Sequence, residues 1–135
     1  MDYSALSLNQ MKNALLVGVG GFIGSTLRYL IGGWVHSLLD NPWFPYGTLA
    51  VNFLGSLLIG VLAGLAESRQ VLGPEARLFL FVGILGGFTT FSSFTYETFS
   101  LGRDGQIAAG GLNVMLQFTL GLAGVWFGHV LSRFL

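Results

Sequence analysis

The chain has 135 residues, of which 53% are hydrophobic and only 9% are charged, and its 6 basic and 6 acidic residues balance. Soluble domains carry about 25% charged residues, so this composition predicts an integral membrane protein without a separate soluble domain. The absence of cysteine excludes disulfides and thiolate metal sites, and the balanced charge argues against a nucleic-acid partner. Residues 1–13 lack the pattern of a cleaved signal peptide.

The first predicted span, residues 13–39, is rich in glycine and contains one charge. Gly20 and Gly24 are small residues four positions apart, a spacing that allows another helix to approach closely. Arg28 lies about 22 Å along this helix from its start, at the usual rise per residue. Two placements of Arg28 are open: the side chain reaches the lipid headgroups, or it points into a water-filled vestibule.

The second predicted span, residues 47–66, follows a loop at residues 40–46 whose prolines and aromatic residues are typical of a membrane interface. The span has no charge, and it places polar and small side chains on one helix face: Asn52, Ser56, Gly60 and Gly64. An amide in hydrocarbon needs hydrogen-bond partners. Asn52 therefore either bonds to a neighbouring helix or faces a pore.

The third predicted span, residues 78–98, is interrupted by helix-poor residues at its centre. The uncharged stretch between Arg77 and Glu97 contains a pair of glycines, Gly86 and Gly87, and then paired threonines and serines. Glycine is costly inside a helix, and hydroxyls compete for backbone hydrogen bonds. These residues predict a helix broken near mid-membrane with a polar site at residues 86–94. The alternative is a flexible, closely packed helix without a site.

The fourth predicted span, residues 106–132, repeats the pattern of the second. It carries Asn113, Gln117 and Gly121 four positions apart, and Gly124 and Gly128 form another pair of small residues. The amides either line a polar path or form an ordinary seam between helices. The whole chain is thus a single four-span domain with both termini on one side.

The side of the termini has 4 Lys and Arg residues near the span ends, and the other side has 2 if Arg28 reaches the headgroups there, so these charges set only a weak orientation. Insertion in both orientations is therefore compatible with the sequence. Four spans offer too little surface to bury all the polar stripes, which favours a two-fold dimer.

The polar groups at the centre suit a small anion. Hydroxyl and amide groups donate hydrogen bonds to anions, and the rings of Phe91 and Phe94 present positive edges. A small neutral solute remains the alternative. The spans contain no lysine and no central carboxylate, so a proton-coupled cation carrier is disfavoured.

The residues from Gly86 to Phe94, with Glu97 three positions on, resemble the signature of the Fluc (CrcB) family of fluoride channels. The resemblance extends over the whole chain, since it includes Gly20 to Gly24 followed by Arg28, and Gly47 to Asn52 followed by Gly55. It implies an all-α integral membrane protein of four transmembrane helices in a bacterial inner membrane. It also implies an antiparallel, dual-topology homodimer, surrounded by lipid, with two fluoride pathways.

The resemblance further implies passive, selective fluoride export rather than an enzyme activity. It implies a central sodium ion (Na+) held by the backbone carbonyls of Gly86 and Thr89 from both subunits, and Arg28 near a vestibule. Ser93 stands where threonine is common in the family, and Gly121 supplies no side-chain donor. The implied fluoride pathway comprises Phe91, Phe94, Asn52, Ser92, Ser93, Thr48, Asn113 and Gln117.

Two other classes of protein are rivals. A small multidrug/proton exporter has a similar size, but it works through a carboxylate in its first span, where this chain has only Arg28. A packing subunit of a larger membrane complex would explain the glycine faces, but not the threonine, serine and phenylalanine residues of the third span.

Overall fold

The computed structural model describes residues 3–39, 43–69 and 72–135, and these residues form helices joined by short turns. Residues 40–42 of the predicted first loop lie outside the described residues. A π-helix spans Leu78–Leu85, and a short 3-10 helix spans Ser132–Phe134. The α-helices are Tyr3–Ser37 (α1), Tyr46–Arg69 (α2), Pro74–Arg77 (α3), Gly86–Phe88 (α4), Phe91–Arg103 (α5) and Ile107–Leu131 (α6).

Four helical stretches are long and apolar enough to cross a membrane, which confirms the prediction of an all-α, four-span membrane protein. They are Ser7–Ser37, Tyr46–Arg69, Pro74–Arg103 and Ile107–Phe134. Most of them extend beyond the predicted apolar runs. At the start of α1, Lys12 donates a 2.6 Å hydrogen bond to Glu75, so charged residues continue the helix past its apolar part.

The first span packs closely against the third through glycine, as the sequence predicts. A Cβ built on Gly24 would overlap the carbonyl oxygen of Ile84, and one on Gly20 would lie 2.7 Å from the carbonyl oxygen of Phe79. Backbones that approach this closely leave no room for a side chain. This contact fixes the π-helix and α4 against α1.

The second and fourth spans pack together in the same way. A Cβ on Gly60 would overlap the carbonyl oxygen of Val125 in α6, and one on Gly128 would overlap the carbonyl oxygen of Leu57 in α2. The small residues of the stripe on α2 therefore face α6. This seam places Asn52 of α2 opposite Gln117 of α6.

Two residues with extended backbone lie between α4 and α5. Thr89 has φ −80° and ψ 159°, and Thr90 has φ −149° and ψ 114°. Thr90 is the N-cap of α5, because its Oγ1 accepts a 3.2 Å hydrogen bond from the amide of Ser93. The hydroxyl of Thr90 thus caps a new helix, which begins at Phe91.

Candidate functional site

Asn52 bonds to both backbone groups of Thr90. Its Oδ1 accepts from the Thr90 amide at 2.8 Å, and its Nδ2 donates to the Thr90 carbonyl at 3.2 Å. In a continuous α-helix the Thr90 amide would instead donate to the carbonyl of Gly86, four residues earlier. Asn52 therefore provides an acceptor for the Thr90 amide, which has no helical acceptor, and adds a second donor to the Thr90 carbonyl, which as the N-cap carbonyl already accepts within α5.

Gln117 completes this hydrogen-bonded group from the opposite helix. The Nδ2 of Asn52 also donates to Oε1 of Gln117 at 3.0 Å, so both amide hydrogens of Asn52 have acceptors. The Nε2 of Gln117 is buried and has no partner among the described residues. The site thus contains one amide donor that remains available to a small ligand.

An open pocket of about 370 Å³, here called the aromatic pocket, lies beside this group. Its rings are in edge contact: Phe91 and Phe94 have centroids 5.5 Å apart at 65°, and Phe94 and Phe118 are 6.3 Å apart at 82°. Phe94 is buried, whereas Phe91 is 72% exposed, so the pocket opens on the surface of the single chain. Ring edges and an amide donor suit an anion.

Three hydroxyl groups gather at the start of α5. The Oγ1 of Thr90 lies 3.3 Å from Oγ of Ser92 and donates to Oγ of Ser93 at 3.1 Å. Thr90 is 8% exposed, whereas Ser92 lies on the exposed side. The predicted hydroxyls are therefore brought together, but they face different sides of the helix.

A second, larger cavity of about 800 Å³, here called the polar cavity, lies on the other side of Thr90. Arg28 lines it and donates a 3.4 Å hydrogen bond to the carbonyl of Thr89. Arg28 thus contacts the third span from this cavity. Thr90 lines both cavities, so the two adjoin at this residue.

Thr48 and Glu97 form a pair in the polar cavity. The hydroxyl of Thr48 donates to Oε1 of Glu97 at 2.6 Å, while Oε2 of Glu97 is buried without a partner in the part of the chain that is described. The sequence analysis names Thr48 as a site residue but gives Glu97 no role in the site. Glu97 lies four residues after Ser93, on the same face of α5, and this spacing could have indicated its position.

Asn113 lies apart from the other predicted site residues. It is 0% exposed, and its Nδ2 donates to Oγ1 of Thr98 in α5 at 2.9 Å. It lines neither the aromatic pocket nor the polar cavity. Phe118, which does line the aromatic pocket, was missed by the sequence analysis, although it follows Gln117 directly.

The backbone near Thr89 offers oxygen ligands. The carbonyl of Gly86 loses its usual helical donor to Asn52, and the carbonyl of Thr89 receives only a long hydrogen bond from Arg28. Such carbonyl oxygens suit hard cations. Among the described residues, no group of three or more His, Cys, Asp or Glu side chains could hold a metal.

Comparison with known proteins gives a consistent result. A family model described as CrcB-like protein, Camphor Resistance (CrcB), matches residues 15–129. The chain is 49% identical over 123 residues to the fluoride-specific ion channel FluC of Chlorobaculum tepidum, covering 91% of this chain and 96% of the relative. It is 44% and 46% identical to the FluC proteins of Geobacter sulfurreducens and Rhizobium etli, over 91% of this chain and 98% of each relative. These matches reach into all four spans, and the chain therefore belongs to the CrcB (Fluc) family.

Proposed function

We propose that this protein is a passive, selective fluoride channel that lets fluoride leave the cell and so relieves its toxicity. The observation that carries the proposal is the aromatic pocket, which is lined by phenylalanine rings and by Gln117, whose buried Nε2 has no partner among the described residues. Fluoride is a small, strongly accepting anion, so it suits an amide donor and positive ring edges. The relatives named fluoride-specific ion channels support the same activity.

The proposed pathway joins the two cavities. Fluoride enters the polar cavity near Arg28, whose charge raises the local anion concentration. It passes the hydroxyls at the start of α5 and reaches the aromatic pocket. Asn113 lines neither cavity, so it is retained as a supporting residue that holds α5 one turn before Gln117 through its bond to Thr98. The residues proposed to act along this pathway are Thr48, Asn52, Ser92, Ser93, Phe91, Phe94, Asn113 and Gln117.

We infer that the third span is broken near mid-membrane and that a sodium ion binds there. The carbonyls of Gly86 and Thr89, from two subunits, would hold it, since both oxygens are free of ordinary helical bonds. A bound cation would supply the positive charge that favours an anion in an uncharged path. Gly86 lies on the exposed side of the chain, where a second copy could share the ion.

The working unit is proposed to be an antiparallel homodimer in a bacterial inner membrane. The aromatic pocket is open on the single chain, and Phe91 at its edge is largely exposed. A second copy would cover this face and enclose the path. The weak charge bias near the span ends supports insertion in both orientations.

The test of this function is fluoride efflux from liposomes loaded with potassium fluoride. Purified protein is reconstituted, valinomycin carries the counter-charge, and chloride release from matched liposomes is the control. We expect fast fluoride efflux that depends on valinomycin, without chloride release. No fluoride efflux from a stable dimer would refute the proposal and favour a packing subunit.

A further inference from the structure

We propose that Asn52 is a positioning residue that acts through Thr90 and Gln117, rather than a direct donor to the anion. This inference rests on the proposed fluoride function. Asn52 has two amide hydrogens, and both already have protein acceptors, the carbonyl of Thr90 and Oε1 of Gln117. No hydrogen of this side chain is left for an anion in the aromatic pocket.

The orientation of the Asn52 amide is fixed by the backbone. The Thr90 N–H group can only donate and the Thr90 carbonyl can only accept, so Oδ1 must face the first and Nδ2 the second. If the amide were turned by half a rotation, Oδ1 would face the Thr90 carbonyl and Nδ2 would face the Thr90 N–H group. Acceptor would then meet acceptor, and donor would meet donor. The side chain of Asn52 therefore has one orientation.

Asn52 in turn fixes the orientation of Gln117. Because Nδ2 of Asn52 donates, Gln117 must present Oε1 to it, and Nε2 is then the group of this amide that is left for another partner. This Nε2 is buried without a partner among the described residues, and Gln117 lines the aromatic pocket with Phe94. A buried donor is unfavourable until an acceptor reaches it, so the site selects a small acceptor. Gln117 is the donor, and Asn52 keeps it in place.

The side chain of Asn52 also links the aromatic pocket to the carbonyl oxygen of Gly86. By taking the amide of Thr90, Asn52 leaves the carbonyl of Gly86 without its helical donor. Its substitution would therefore change two things together: the backbone at Thr90 and the direction of the Gln117 amide. Substitution of Gln117 would change only the second.

The test compares two neutral substitutions of similar size, Asn52→Leu and Gln117→Leu, and their double variant. The first readout is hydrogen exchange of the Thr90 amide, measured by NMR on the detergent-solubilised protein. We expect faster exchange in Asn52→Leu and unchanged exchange in Gln117→Leu, because only the first loses the acceptor Oδ1. This readout does not depend on transport.

The second readout is fluoride efflux. The rate of fluoride efflux should fall about 10- to 100-fold in each single variant, which is the range expected for the loss of one hydrogen bond to a charged group. The double variant should lose no more than Asn52→Leu alone, since Asn52 acts through Gln117. Thr119→Val is the matched control on α6, because the Thr119 hydroxyl is exposed and bonds to Met115 of its own helix at 2.7 Å. It should conduct normally.

Several outcomes would overturn the inference. Losses that multiply in the double variant would mean that Asn52 donates to fluoride independently. Normal efflux in Gln117→Leu would remove Gln117 as the donor, and unchanged Thr90 exchange in Asn52→Leu would remove the bond to the backbone. If the unmodified protein carries no fluoride, the proposed function fails, but Thr90 exchange still decides whether Asn52 holds the backbone.

Discussion

Replacing Phe91 with isoleucine removes a ring from the mouth of the aromatic pocket at little cost to the fold. Phe91 is 72% exposed, so its substitution should lower the free energy of unfolding of a single chain by no more than its edge contact with Phe94 contributes, about 0.5–1.5 kcal/mol. Its ring lies 5.5 Å from that of Phe94 in an edge arrangement. The substitution therefore tests the ring edges without disturbing the core.

The expected loss follows from this ring pair. If the contact between a ring edge and fluoride is as strong as an edge contact between two rings, about 0.5–1.5 kcal/mol, its loss in Phe91→Ile should slow fluoride efflux about 2- to 12-fold. Phe94→Ile should slow it more, because Phe94 is 6% exposed and contacts both Phe91 and Phe118. The dimer should stay intact in both variants.

The assay is the liposome efflux measurement, with size-exclusion chromatography to verify the dimer. Phe99→Ile is the matched control, since Phe99 lies on the same helix, is 65% exposed and is not among the residues that line the aromatic pocket. Unchanged efflux in both Phe91→Ile and Phe94→Ile would refute the role of the ring edges. An equal loss in Phe99→Ile would show that any aromatic residue on α5 has this effect.

Three further substitutions test other parts of the structure. Gly24→Ala should lower the free energy of unfolding by about 1–3 kcal/mol in thermal denaturation, because the added Cβ has no room. Gly18→Ala is the control and should be tolerated, because a Cβ at Gly18 meets nothing within 4 Å. Thr48→Val removes the hydrogen bond to Glu97 and should destabilise the protein by about 1–3 kcal/mol in the same measurement; unchanged stability would show that the bond is dispensable. Asn52→Asp should reduce efflux about 100-fold or more, through repulsion of the anion, and efflux equal to that of Asn52→Leu would contradict this.

The close packing of the spans could be predicted from the sequence, because glycines four positions apart allow two helix backbones to approach closely. Gly20 and Gly24 predicted a close helix contact, and the backbone of the third span lies against them. The partner helix could not be predicted, since the spacing says only that some helix comes close. The helix ends could not be predicted either, because α1 begins at Tyr3, in a polar segment that the apolar pattern does not cover.

The amides of the fourth span show where spacing alone is insufficient. Asn113 and Gln117 are four positions apart and were assigned to one stripe. At 3.6 residues per turn, four residues leave an angular offset of about 40°. This offset turns Asn113 towards Thr98 of α5 and Gln117 towards Asn52 of α2. Which helix each amide meets depends on the tertiary packing, which the sequence pattern does not contain.

The position of Thr90 between the two cavities has an electrical consequence. Thr90 lines both the aromatic pocket and the polar cavity, so the two spaces adjoin at this residue. Where water fills the space on either side, a membrane voltage falls mainly across the remaining low-dielectric layer. One elementary charge that crosses the full voltage gains about 2.3 kcal/mol per 100 mV. An ion that moved from one water-filled cavity to the other past Thr90 would receive most of that work at this step, so the membrane potential would act there rather than along the whole path.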